Sequence, residues 1–275
     1  MPQFSGNSII KKEAKKLLSH NRIAHIAVFF CFAVCVPGIL FAGSSVLALL
    51  EPYLSDPVYL TLSAFFTTLV ILTAVPLFYG VGVFEYNVIH TGQADTSDLF
   101  YAFGSARMFR RSFFLFWGLM WRFLLIFSLP LMLADEFFAY VAGESMMFYP
   151  LTYAGYDLTY LVLSLVLVLS FIACTGIYAR YASAVYLTVQ RENLPVSLCF
   201  AAAGFAASGH SRRYFALITS FLPLIFLSLI TLGVLLVLHT IPLMLLAVFL
   251  LAADLCETKD VADRFALVFD RPIEK

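Results

Sequence analysis

The chain is expected to be all-α: a polytopic membrane protein with six transmembrane helices arranged as three parallel repeats. Each repeat would be an amphipathic helix plus a helical hairpin, with both termini cytoplasmic. Three observations lead there. Apolar residues make up 62% of the 275 and charged residues only 12%, too few to cover the surface of a soluble domain of this length. Six apolar segments are long enough, or nearly so, to cross a bilayer core about 30 Å thick, which takes roughly 20 residues. And 16 of the 17 Lys and Arg residues fall on one side of the resulting topology.

Taken in order, a polar lead precedes the first apolar segment, 23–50. The length of that segment and its lead favour a retained span over a cleaved signal peptide. The others are 58–89, 113–133, 158–185, 215–236 and 241–255. Pro37-Gly38 and Pro76 fall inside the first two spans, where neighbouring helices accommodate them. The last two are separated by "LHTIP", where His239 and Pro242 are expected to make a tight turn. Lys11, Lys12, Lys15, Lys16 and Arg22 precede the first span. Arg107, Arg110 and Arg111 lie before the third, Arg180, Arg191, Arg212 and Arg213 before the fifth, and Lys259, Arg264, Arg271 and Lys275 after the sixth. The opposite loops carry only acids: Glu51, Asp56, Asp135, Glu136, Glu144 and Asp157. Tyr140, Tyr149, Tyr153, Tyr156 and Tyr160 in the longer of them read as an interfacial belt.

The repeat is visible as an offset of 100 residues. "EYNVIHTGQADTSDLFYAF" set against "VYLTVQRENLPVSLCFAAA" pairs Tyr86 with Tyr186, Ser97 with Ser197, Phe100 with Phe200 and Ala102 with Ala202. Two inserted residues bring Arg110-Arg111 over Arg212-Arg213. "LLSHNRIAHI" gives a fainter copy, with His20 over His210 and Arg22 over Arg212. The units divide at 1–92, 93–190 and 191–256, leaving a tail, 257–275, whose Val261, Phe265 and Phe269 suit an interfacial helix. Pro195 suits a first helical turn.

Arg122 stands alone in mid-span. A charge at that depth costs about 2.5–3.5 kcal/mol, so compensation is required. Glu85, near the basic end of the preceding span, is the expected partner, and this intramembrane pair could be structural glue or part of a polar path. Arg22, Arg110, Arg111, Arg212 and Arg213 are expected to contact lipid headgroups.

Catalytic chemistry has little foothold. GxxxxGK[ST], HExxH and GxSxG are all missing. Five cysteines without CxxC spacing suggest neither a disulfide framework nor a metal site, and Cys31 and Cys35 read as packing on one helix face. His25 and His239 read as packing or capping residues, His20 and His210 as structural residues at headgroup level. No catalytic, cofactor-binding or metal residue is expected. Zero net charge gives no reason to expect nucleic acid, and the partners expected are the lipid bilayer and another membrane protein or a second copy.

"NSIIKKEAKKLLSHNR", "YLTVQRENLPVSLCFAAA" and "GHSRRYFALITSF" together resemble a family of bacterial six-helix integral membrane proteins, that of domain-of-unknown-function 975. The resemblance covers most of the chain, which differs in its longer loop between the third and fourth spans. It implies a bacterial cytoplasmic (inner) membrane and carries no catalytic residues. Three function classes stay open: a non-enzymatic accessory or scaffold protein, a small-solute transporter or channel, and a lipid-handling enzyme.

Overall fold

A computed structural model describes residues 6–53, 55–142, 181–207, 210–230 and 235–256, with isolated positions between 165 and 178. All regular elements among them are helical. Four are long and apolar enough to cross a membrane: Arg22–Tyr53, Asp56–Thr91, Ala106–Met132 and Leu238–Cys256.

Helix α1 (Asn7–His20) buries Ile10, Ala14 and Leu18, spaced four residues apart, while Lys12, Lys15 and Lys16 are exposed. That stripe is what an amphipathic helix needs to lie against a bundle. Asn21 separates it from α2 (Arg22–Leu50), which is apolar on all sides and runs straight through Pro37-Gly38. A 3-10 turn (Glu51–Tyr53) leads to α3 (Asp56–Thr91), which packs against α2 and buries Pro76. Gly92, at φ 71°, closes α3 in the left-handed conformation that glycine adopts without penalty.

A 3-10 helix (Thr96–Gly104) then folds back onto α3. Asp95 starts it by accepting the Ser97 N–H at 2.8 Å, a contact that holds its carboxyl below the usual carboxylate range. The seam is close: a Cβ on Gly80 would come within 1.9 Å of the Leu99 carbonyl oxygen. Next come α4 (Ala106–Ala142), α5 (Ala182–Gln190), α6 (Val196–Ala206), α7 (Ser211–Thr219) and α8 (Leu222–Ile230). A π-helix (Leu236–Thr240) runs directly into α9 (Ile241–Cys256).

The centre of the bundle is α3, α5 and α9, each packed against the other two. Tyr186 of α5 is fully buried there, its ring centroid 5.5 Å from that of Tyr86 and 6.1 Å from that of Phe249. On α2 and α4, large apolar side chains such as Phe30, Phe41, Trp117 and Trp121 are exposed, as the lipid-facing side of a span should be.

Three short helical segments lie at the basic end, each on a different central helix: α1 on α9, the 3-10 helix on α3, and α6 on α5. Polar ties join the first turns of the outer helices to the ends of the central ones. Asn21 Nδ2 donates to the Gly92 carbonyl at 3.2 Å, and Arg213 bonds Asp254 of α9 at 3.1 Å. Arg111 reaches the carbonyls at the end of α5.

Several expectations are corrected. Arg110-Arg111 stand in the second turn of α4 and Arg212-Arg213 in the first turn of α7, within the helices rather than before them. Helix α4 extends beyond 113–133 at both ends. No tight turn forms at "LHTIP": the π-helix carries His239 and continues into α9, whose second residue is Pro242. The span expected at 215–236 is divided between α7 and α8 by a turn at Ser220-Phe221. Most of 158–185, the tyrosines at 149, 153, 156 and 160, the Tyr140 side chain and the tail helix lie outside the described residues.

Candidate functional site

The basic end of α4 and the segment joining α5 to α6 enclose a cleft of about 740 Å³. One wall is a single stripe of α4: Arg107, Arg110, Arg111, Phe114, Trp117, Gly118 and Arg122 recur at intervals of three and four residues, which keeps them on one face. The other wall is 192–197 with Phe200.

The four arginines do different things. Arg111 is buried, and its guanidinium is committed to main-chain oxygens. It donates to the carbonyls of Thr188 (2.9 Å) and Arg191 (2.8 Å) and to that of Leu194. A cation on the last carbonyls of α5 satisfies oxygens the helix leaves unpaired. Arg107 donates to the Glu192 carbonyl at 3.1 Å and to Asn193 Oδ1 at 3.4 Å, and it stays exposed. Arg110 is exposed and makes no hydrogen bond or ion pair with the described residues.

Arg122 turns its side chain back along α4 and donates to the Gly118 carbonyl at 3.0 Å. Its guanidinium carbon lies 4.0 Å from the centroid of the Phe200 ring and 5.1 Å from that of Tyr181. Gly118 makes room for this: a Cβ there would come within 2.4 Å of the Phe200 ring. A cation over an aromatic face gains about 0.5–2 kcal/mol, rising as water is excluded, which offsets part of the insertion cost of the charge. The compensation is aromatic.

Among the described residues, Glu192 is the one carboxylate on the lining. It accepts the Tyr101 hydroxyl at 2.6 Å. That hydrogen bond first, and burial second, push the Tyr101 phenol up to about 12. Cys199 lies beneath Arg111, at 3.9 Å from Nη2, and burial pushes its thiol up, away from the thiolate a nucleophile needs.

The expected Arg122–Glu85 pair does not form. Successive helical residues point about 100° apart. Tyr86 faces Tyr186 of α5, so Glu85 is turned toward α2 instead. There its Oε2 lies 3.5 Å from Nε2 of His25, and both side chains are fully buried. His25 Nδ1 donates to the Asn21 carbonyl, 3.0 Å away, but its Nε2 and both Glu85 oxygens have no hydrogen bond.

Of the expected headgroup arginines, Arg22, Arg110 and Arg212 are exposed. Arg111 is withdrawn, since its donors are turned onto protein carbonyls, and Arg213 is half-buried against Asp254. His20 ends α1, and His210 immediately precedes α7.

No family model, curated protein or solved structure matches the chain.

Sequence reasoning missed His25 as the neighbour of Glu85, although a short-linked hairpin brings the start of α2 to the end of α3. It also missed Tyr181 and Phe200 as partners of Arg122. A glycine one turn before the arginine was the available signal, because it lets an aromatic ring approach the helix.

Proposed function

We propose that this protein is a non-enzymatic accessory or scaffold protein of a bacterial cytoplasmic membrane, holding an anionic molecule in the arginine cleft. The observation that carries the reading is the charge imbalance of that cleft. Arg107, Arg110 and Arg122 share it with one carboxylate, Glu192, which already accepts Tyr101. Membership in the family of domain-of-unknown-function 975 is part of the proposal.

Six spans in three parallel units, with both termini cytoplasmic, complete the picture. The pairwise packing of α3, α5 and α9 supports this arrangement, since these are the second helices of the three units. So does the placement of the three short segments, each on the last helix of the unit before it, with α1 closing the cycle on α9. A third register also aligns: Glu85-Tyr86, Val185-Tyr186 and Val248-Phe249 occupy comparable places, and Tyr186 touches both of the other aromatic rings.

Mass spectrometry of the purified protein tests the function. An anionic molecule should copurify intact and be lost when Arg110→Gln is combined with Arg122→Gln. A chemically converted product would replace the accessory reading with an enzyme. The buried His25–Glu85 contact favours a second reading, solute transport. Solute flux in proteoliposomes that His25→Phe abolishes would establish it.

A further inference from the structure

We infer that the cleft is a binding site for an anionic glycerophospholipid of the cytoplasmic leaflet; the inference rests on the function just proposed and names its ligand. Charge alone would suit any anion. The cleft, however, is not lined by charge alone. Between the outer arginines and Arg122, the same stripe of α4 presents Phe114 and Trp117, which are 61% and 66% exposed. Both belong to a helix apolar enough to cross a membrane, so their open faces meet acyl chains rather than water.

Depth supports the same ligand. From Arg107 to Gly118, the level to which the Arg122 guanidinium turns back, α4 rises about 16 Å at 1.5 Å per residue. That passes through the headgroup region and ends within the same leaflet of a bilayer 40–45 Å thick including headgroups. A soluble phosphate would fill only the outer end of such a site. A volume of about 740 Å³ is that of a small-molecule pocket, large enough for a phosphodiester headgroup and its glycerol.

The chemistry then divides along the cleft. Arg110, without a protein partner among the described residues, and Arg107 take the phosphodiester oxygens. Phe114 and Trp117 flank the glycerol backbone and the first acyl carbons. Arg122, its guanidinium turned back to the level of Gly118, uses one N–H there and keeps the others for the deeper ester oxygen of the glycerol backbone. Arg111 contributes structure, holding the end of α5 as the opposite wall.

The test measures binding to the detergent-solubilised, full-length protein by native mass spectrometry and melting temperature. The probes are phosphatidylglycerol, phosphatidylcholine and glycerol 3-phosphate. Phosphatidylglycerol should bind and raise the melting temperature, and the other two should do neither. Arg110→Gln and Arg122→Gln should each weaken phosphatidylglycerol about 10- to 100-fold, the range for losing a hydrogen bond to a charged group. Trp117→Ala removes an exposed ring without touching charge, so it should fold normally and also weaken the lipid. Arg212→Gln, outside the cleft, should change nothing.

Glycerol 3-phosphate binding as tightly, with the same arginine dependence, would overturn the lipid assignment and leave the anion-holding function standing. Equal binding of phosphatidylcholine, or an equal effect of Arg212→Gln, would also overturn the assignment. If no anionic probe binds, both the assignment and the function fall.

Discussion

His25 and Glu85 meet between α2 and α3 with three polar atoms buried and no hydrogen bond on any of them. In the proposed repeat register Phe215 stands opposite His25 and Val185 opposite Glu85, apolar residues in both places. Removing one member leaves the other without its neighbour, a loss of about 1–3 kcal/mol. Removing both, as His25→Phe with Glu85→Val, should recover most of the thermal stability in detergent that either single variant loses. A double variant as unstable as the sum of the singles would separate the two residues energetically. Sequence position gave the depth of Arg122 and Glu85 but not their partners. Which way a side chain points around a helix is settled by neighbours, and Tyr86 and Phe200 decide it here.

The 3-10 helix Thr96–Gly104 and the 192–200 segment are joined by the Tyr101–Glu192 hydrogen bond across 91 residues of chain. An ordinary tyrosine loses its proton near pH 10, and Tyr101 in the folded protein holds it to about 12. The folded state therefore keeps a proton that the unfolded state has lost. The contribution is fully present below pH 10 and disappears as pH rises from 10 toward 12. The stability gap between the parent and Tyr101→Phe should close over that interval, and the parent should show one more late-ionising phenol by absorbance titration. At this scale the amphipathic stripe of α1, the serine–phenylalanine match of the two basic-end segments and the long apolar helices were legible. The choice between 3-10 and α geometry was not. The 3-10 segment must fit its backbone against Gly80 of α3, while α6 packs a phenylalanine ring onto Gly118 of α4.

Across the whole molecule, the described basic residues other than Arg122 and the exposed link between α2 and α3 mark opposite ends of the bundle. In a variant lacking the native cysteines, Ser55→Cys should be labelled in intact cells by a membrane-impermeant reagent, and Ser105→Cys only after permeabilisation. Reversed labelling would turn the protein over in its membrane. The membrane class was legible from composition because a bilayer imposes it on every residue. The division of the fifth expected span and the π-helix before α9 were not, since both depend on packing between helices rather than on hydropathy.

The seating of α1 against α9 has a consequence for the chain as a string. If each short segment belongs to the central helix it covers, the covalent order of the units is one of three cyclic readings of the same ring. A circular permutant that opens the chain between Gly92 and Ala94, with the original ends joined by a flexible linker, keeps every pairing described above. It should insert, fold and melt as a single unit close to the parent. A permutant opened instead between α4 and α5 divides a hairpin and should not.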